Sequence, residues 1–409
     1  MINLKQTYHS TIMTIQTTSS RRTWLKQSAV AMGAMAFAPQ QIWASTVKEA
    51  QQEGRKFLYH KSTFNEFTPP KLPDLSTVNA RLVWNENPHG PSKMAAKAFQ
   101  KAVWDGNHYS WSSLDDLVKK IATYEGVKEE QVMMAPGSSD LLEKTALVYF
   151  QKGGNVVSAD PSYMSLVSVA KAAGGAWKAI KLTPDYQHDL PAMEAAIDSD
   201  TKLVYITNPN NPTATITDTE ALKSFCRRVS RKVPVFVDEA YIELSDGGLA
   251  NSMVPLVAEG CNIFVSRTFS KIHGMAGLRL GYMLGKTESL NAINEITRGG
   301  MGITGPTIAA GSASMDDTEY LTSCKDKLVE ARNYTTSYLT SRGFDFMPSQ
   351  TNFVMFPIDM PGDTFLENIY DRKVVVRAFK FWDQDWCRVS MGTMKEMEYF
   401  KDAIDAILV

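Results

Sequence analysis

Ile263-Phe-Val-Ser-Arg-Thr-Phe-Ser-Lys271-Ile-His-Gly-Met-Ala-Gly-Leu-Arg279-Leu-Gly-Tyr-Met-Leu284 compresses two strands and a set of reactive groups into one segment. The apolar run Ile263–Val265 enters the hydroxyls of Ser266, Thr268 and Ser270, and Lys271 follows at once. Gly274 and Gly277 turn the chain, Arg279 comes next, and Gly281–Leu284 reads as strand again. Hydroxyls and a guanidinium suit a phosphate, and an amine beside them suits an aldehyde. Taken alone, Lys271 reads first as an ordinary solvated loop lysine, the commonest fate of a lysine. The surrounding chain decides between the two.

Working outward, short apolar runs recur at Val132–Ala135, Val156–Ala159, Leu203–Ile206, Val235–Val237, Ile263–Val265 and Gly281–Leu284, most of them separated by helical stretches. Runs without polar alternation are strands buried on both faces, so the pattern predicts a parallel or mostly parallel sheet covered by helices. Ser92 is placed to cap a helix, and Leu114, Leu117, Val118 and Ile121 form one apolar stripe. Beyond Gly305-Pro306 the pattern changes to a long helix over roughly 317–342. Strands at 352–356, 374–379 and 387–390 and a closing helix follow.

Four further segments carry chemistry. Ala135-Pro-Gly-Ser138-Ser139-Asp140 joins strand to helix, an anion site by its free N–H groups or simply a cap. Asp160-Pro-Ser-Tyr163 follows a strand and offers an aromatic face, or a plain core tyrosine. Asn208-Pro-Asn-Asn211-Pro-Thr-Ala214 fixes an amide donor in a rigid turn. Val235-Phe-Val-Asp238-Glu239-Ala-Tyr241 ends a buried strand on a carboxylate, which is costly unless paired. A protonated pyridine nitrogen is a fitting partner, and together these residues point to pyridoxal phosphate (PLP). A metal-binding Asp-Glu pair is the rival, but no GxxxxGK[ST] loop accompanies it.

In this order the three segments Asn-Pro-Asn-Asn-Pro-Thr, Val-Asp-Glu-Ala-Tyr and Ser-Arg-Thr-Phe-Ser-Lys-X3-Gly-X2-Gly-Leu-Arg resemble the class I/II aminotransferases, and within them the histidinol-phosphate aminotransferase-like branch. Arg81-Leu-Val-Trp-Asn-Glu-Asn87-Pro-X-Gly-Pro-Ser and Arg388-Val-Ser-Met-Gly-Thr extend the likeness over roughly 78–409. The resemblance implies an α/β protein of fold type I: a large domain with a mostly parallel sheet covered by helices, plus a smaller α+β domain. It places the large PLP-binding domain at 81–305 and the small domain at 306–409, with 46–80 as a lead-in contributing to the latter. It implies Lys271 as the Schiff-base lysine and proton carrier, Asp238 at the ring nitrogen, and Asn211 and Tyr241 at the phenolic oxygen. Tyr163 would stack on the ring. Ser138, Ser139, Thr268 and Arg279 would cup the phosphate, with Ser270 assisting and Tyr109 reaching in from a second copy of the chain. Arg388 would clamp a substrate carboxylate, Arg377 would assist it or bind a substrate phosphate, and Asn87 would also lie at the substrate. The implied activity moves an amino group from an amino donor to a 2-oxo acid by a ping-pong route in a homodimer. Decarboxylases and lyases share the scaffold and are the alternative; a non-catalytic amine-binding protein is a more distant one. Ala214 departs from the family's usual glycine, and His108-Tyr109-Ser110 from its Arg-Tyr-Pro.

The amino-terminal region has a different character. Ser20-Arg21-Arg22-Thr23-Trp24-Leu25-Lys26 and the apolar run Ala29–Ala38 resemble a twin-arginine (Tat) signal over 1–45, with a cut expected after Ala44. That predicts export by the Tat machinery to the periplasm, or a cytoplasmic protein if the signal goes unused. The run is too short to anchor the chain across a membrane. A net charge of −1 over 409 residues gives no attraction to nucleic acid. Cys226, Cys261, Cys324 and Cys387 are scattered and predict neither a zinc site nor a disulfide framework.

Overall fold

The computed structural model describes residues 50–52, 55–57, 62–68 and 74–408. The twin-arginine motif, the Ala44 cut and the lead-in prolines Pro69, Pro70 and Pro73 lie outside the described residues. Among the described residues no helix is long and apolar enough to cross a membrane.

The larger sheet has seven strands: β1 (Val132–Ala135), β2 (Asn155–Asp160), β3 (Ala176–Lys181), β4 (Thr201–Thr207), β5 (Val235–Asp238), β6 (Ile263–Thr268) and β7 (Gly281–Gly285). Their order is β1-β7-β6-β5-β4-β2-β3. Strands β6, β5, β4, β2 and β3 run parallel, and β7 runs antiparallel to β6 and β1. Every residue of β2, β5, β6 and β7 is buried, which is why these strands read as unbroken apolar runs. Strand β3 was not visible in that pattern. It closes one edge, its end residues Ala176 and Lys181 are exposed, and the buried Lys178 interrupts its apolar residues. Its polar groups find partners: the Trp177 indole donates to Ser158 Oγ at 2.7 Å, and Lys178 Nζ donates to the Ala196 carbonyl at 2.8 Å.

A smaller antiparallel sheet contains β8 (Phe353–Ile358), β9 (Arg377–Phe381) and β10 (Gln384–Ser390), in the order β8-β10-β9, with the short strand Asn65–Glu66 on the outer edge of β9. The continuous strand expected at 374–379 is divided. Val374–Val375 pairs in parallel with Ala80–Arg81, whereas Arg377 begins the pairing with β10. The long helix spans Thr318–Ser341. Its buried Cys324, Leu328, Ala331 and Leu339 share an apolar cluster with Phe353 and Phe356 of β8.

Two features position the site. The helix α1 (Ser138–Phe150) packs Leu141, Leu142 and Phe150 in one cluster with Phe236 and Phe264 of the large sheet. Each of those fully buried rings contributes about 2–3 kcal/mol, so the start of α1 is firmly anchored. The register Thr207↔Asp238↔Ser266 sets the carboxyl ends of β4, β5 and β6 level with one another. The turns leaving these strands therefore open onto one crevice, where α/β sheets bind ligands.

Candidate active site

A cavity of about 450 Å³ lies over those strand ends. Residues far apart in sequence line it: Ser138 and Ser139 from α1, Tyr163 after β2, Asn211 after β4, Asp238 and Tyr241 from β5 and its exit, Thr268, Ser270 and Lys271 after β6, and Arg388 from β10.

Lys271 Nζ donates to the carbonyls of Trp84 (3.2 Å) and Asn85 (2.9 Å), with no ion-pair carboxylate among the described residues. Burial, reinforced by the charge of Arg388, lowers its pKa to about 7. About half of an amine with that pKa is unprotonated at neutral pH and able to attack a carbonyl. Asp238 is buried at the end of β5, where its Oδ1 accepts from Ser266 Oγ at 2.8 Å. Burial raises its pKa to about 6, while the Ser266 and Ala240 hydrogen bonds and the Lys271 charge hold it from rising further. The neighbouring Glu239 is committed elsewhere. It accepts from the Met253 N–H (2.6 Å) and Ser252 Oγ (2.8 Å) and pairs with the buried Arg267 at 3.1 Å. The Asp-Glu dipeptide is thus split, leaving Asp238 alone at the cavity.

Tyr241 Oη accepts from Asn85 Nδ2 at 3.1 Å and Asn211 Nδ2 at 3.4 Å. The Asn211 carbonyl oxygen in turn accepts from Arg388 at 2.8 Å. Arg388 is buried between Phe353 and Phe379, each ring centroid 5.3 Å from its guanidinium carbon. It also donates to the Val83 carbonyl at 3.1 Å, and its buried Nε has no partner. Its pKa is lowered to about 10, first by burial, yet it stays charged at neutral pH. Among the described residues no carboxylate pairs with it, so the site holds a guanidinium ready for an anion.

Ser138, Ser139, Thr268, Ser270 and Arg279 meet at the other end. Thr268 Oγ1 donates to Ser270 Oγ at 3.0 Å. Gly137 enters α1 at φ +94°, and a Cβ there would collide with the Arg279 guanidinium. Only glycine permits that approach, which aligns the arginine with the free N–H groups of the first helical turn. A phosphate fits this cradle of hydroxyls, N–H groups and one arginine. With an amine and a buried carboxylate in the same cavity, the residues present fit PLP as a whole.

The structure separates two sequence candidates from this group. Asn87 donates to the Ile272 carbonyl (2.9 Å) and to Cys324 Sγ (2.8 Å) and does not line the cavity. Its motif neighbour Asn85 does line it, held at φ +55° with its side chain on Tyr241 and Ser390. The alternating Asn-Glu-Asn pattern marked this turn as polar but did not reveal which asparagine faces inward. Tyr109 is 85% exposed, stacked on Trp111 at 5.6 Å, and stands away from the cavity within one chain. Phe64, Glu66, Trp84 and Phe379 line the cavity without having been anticipated. Ala214 adopts φ +66°, which explains the usual glycine there and costs this chain about 1 kcal/mol.

Comparison with known proteins shows the family and the fold. The family described as "Aminotransferase class I and II" matches residues 77–404. The histidinol-phosphate aminotransferase of Moorella thermoacetica is 33% identical over 337 residues, 80% of this chain and 85% of that protein. The aromatic amino acid aminotransferase of Mycobacterium avium is 31% identical over 318 residues, 77% of this chain and 88% of that protein. The crystal structure of histidinol-phosphate aminotransferase from Sinorhizobium meliloti in complex with pyridoxal-5'-phosphate has a TM-score of 0.72 at 24% identity, covering 81% of this chain and 92% of that one, a likeness of fold.

Proposed function

The chain belongs to the class I and II aminotransferase family, and from that premise we propose that it is a PLP-dependent aminotransferase whose active site is the cavity around Lys271. The observation that carries this reading is a lysine amine of pKa about 7 in the same cavity as the buried Asp238 carboxylate and the hydroxyl–arginine cradle. PLP supplies the aldehyde that takes up an amino group and the ring that accepts electrons when a bond at the substrate's α-carbon breaks.

The chain's own residues do the rest. Ser138, Ser139, Thr268, Ser270 and Arg279 would bind the phosphate. Asp238 would hold a proton on the ring nitrogen, and Tyr241 with Asn211 would orient the phenolic oxygen. Tyr163 provides an aromatic face. Lys271 Nζ would hold the cofactor's aldehyde and, as a free amine, would carry the proton at the substrate's α-carbon. Arg388 would bind the α-carboxylate as a fork, its guanidinium oriented by its hydrogen bond to Asn211. An amino donor leaves as a 2-oxo acid, and a second 2-oxo acid takes the amino group.

The test is a visible absorption spectrum of PLP-loaded protein with a panel of amino donors. Conversion to the pyridoxamine form with release of a 2-oxo acid is the expected result. Release of carbon dioxide without that form would replace transamination by decarboxylation.

The exposed Tyr109, the Arg-Arg pair and the run after it support two further parts of the reading. The working unit is a homodimer in which Tyr109 serves the neighbouring site. The protein is exported by the twin-arginine route to the periplasm. Replacing Arg21 and Arg22 by lysine should then retain it in the cytoplasm, whereas unchanged fractionation would refute export.

A further inference from the structure

The chain from Ser62 to Phe67 straps the cavity between the two sheets. Ser62 Oγ donates to Asp160 at the end of β2 (2.8 Å), and the Phe67 N–H donates to the Ala378 carbonyl of β9 (3.0 Å). Between these anchors Phe64 and Glu66 face the cavity. Phe64 stacks on Phe379 with ring centroids 5.7 Å apart and planes at 13°, making an aromatic wall.

Glu66 answers an electrostatic problem. Arg377 and Arg388 are direct cross-strand partners in the β9–β10 register, and both line the cavity. Like charges placed opposite one another repel. If both arginines were open, a substrate with two anionic groups would relieve that repulsion best. Here the chain supplies one anion itself: Glu66 Oε1 sits 2.9 Å from Arg377 Nε. The other carboxylate at this side of the cavity, Glu86, is also occupied, paired with Arg81 at 2.7 Å. Arg388 is left as the substrate-end guanidinium with no carboxylate partner among the described residues.

Building on the aminotransferase reading, we propose that Glu66 is a specificity-determining residue: it neutralises Arg377, so that the site takes 2-amino and 2-oxo acids with a single carboxylate and an uncharged, ring-bearing side chain. The carboxylate engages Arg388, the side chain lies against Phe64 and Phe379, and a second anion, carboxylate or phosphate, meets Glu66 and is rejected. Arg377 is then a compensated charge, not a phosphate ligand.

The test uses PLP-loaded protein and measures binding of two acids that cannot be transaminated, 3-phenylpropanoate and glutarate, by calorimetry. Wild type should bind 3-phenylpropanoate at least about tenfold more tightly. Glu66→Gln should tighten glutarate by about tenfold or more, the effect of uncovering one partly solvated charge, and change 3-phenylpropanoate by less than about threefold. As a second variant, Arg377→Gln should expose Glu66 and tighten 5-aminopentanoate, whose distal ammonium would replace the arginine. Equal affinities in wild type, or ratios unmoved by both substitutions, would overturn the proposal. Selective binding with no donor converted to the pyridoxamine form would refute the aminotransferase reading and uphold the subsite. Conversion of donors without such selectivity would do the reverse.

Discussion

Lys271→Ala is expected to reduce transamination by at least about 10⁴-fold for every donor, since the amine that engages the cofactor and carries the proton is gone. PLP should still enter the cradle, but the visible band of the lysine-bound form should be missing and borohydride should fix no cofactor to the protein. Turnover within tenfold of wild type would refute the assignment. The apo proteins give a second, independent readout. Folding lowers the Lys271 pKa from 10.5 to about 7, so the buried ammonium destabilises the native state fully below pH 7. Between those values the unfolded chain binds the extra proton, and native stability rises with pH until the penalty disappears above 10.5. The alanine variant loses packing at every pH but carries no such charge. Its stability relative to apo wild type should therefore be most favourable near pH 6 and fall by about 4 kcal/mol towards pH 10. Denaturant unfolding at both pH values checks this, and a pH-independent difference would argue against a destabilising ammonium.

Asp238→Asn is expected to lower kcat by about 10³-fold, with a smaller loss of cofactor affinity. An amide fills the same space against Ser266 but cannot hold a proton on the ring nitrogen as a carboxylate does, so the ring accepts electrons poorly. Single-turnover conversion of donor to 2-oxo acid measures the step directly. A rate within threefold of wild type would remove Asp238 from the mechanism. Stability should move the other way. The Asp238 pKa rises from 3.8 to about 6 on folding. The folded state then holds the proton longer, and stability contributed by this group falls as pH rises from about 4 to 6. Above pH 6 the buried carboxylate costs its full penalty. The apo asparagine variant should accordingly be more stable than apo wild type at pH 7–8, by roughly 1–3 kcal/mol, and the gain should vanish near pH 4. A catalytic group that destabilises its own fold is the expected signature of an active-site acid.

Much of this was written in short stretches. The strands that end at Asp238 and Thr268 are apolar on both faces because helices cover both faces, so they appear as runs. The reactive residues follow those runs directly, because side chains at strand ends point into the crevice. Lys271, Asp238, Asn211, Tyr241 and Ser138 could be picked out from local context for that reason, whereas Arg388, inside β10 of the smaller sheet, entered only through the family resemblance. Strand β3 could not, since an exposed edge strand carries polar and apolar residues in no simple order.

The sequence by itself determined six of the seven strands of the central sheet, the lysine with the polar residues around it, and the family likeness, since each depends on periodicity or spacing within a few residues. Tertiary structure alone decided which asparagine of the Trp84–Asn87 turn faces the cavity, since a left-handed backbone at Asn85 rotates the side chains that follow. It alone set Arg377 opposite Arg388, and Glu66, more than three hundred residues earlier in the chain, beside Arg377. Such pairings depend on strand register and on where a distant segment crosses, which no local pattern of residues encodes.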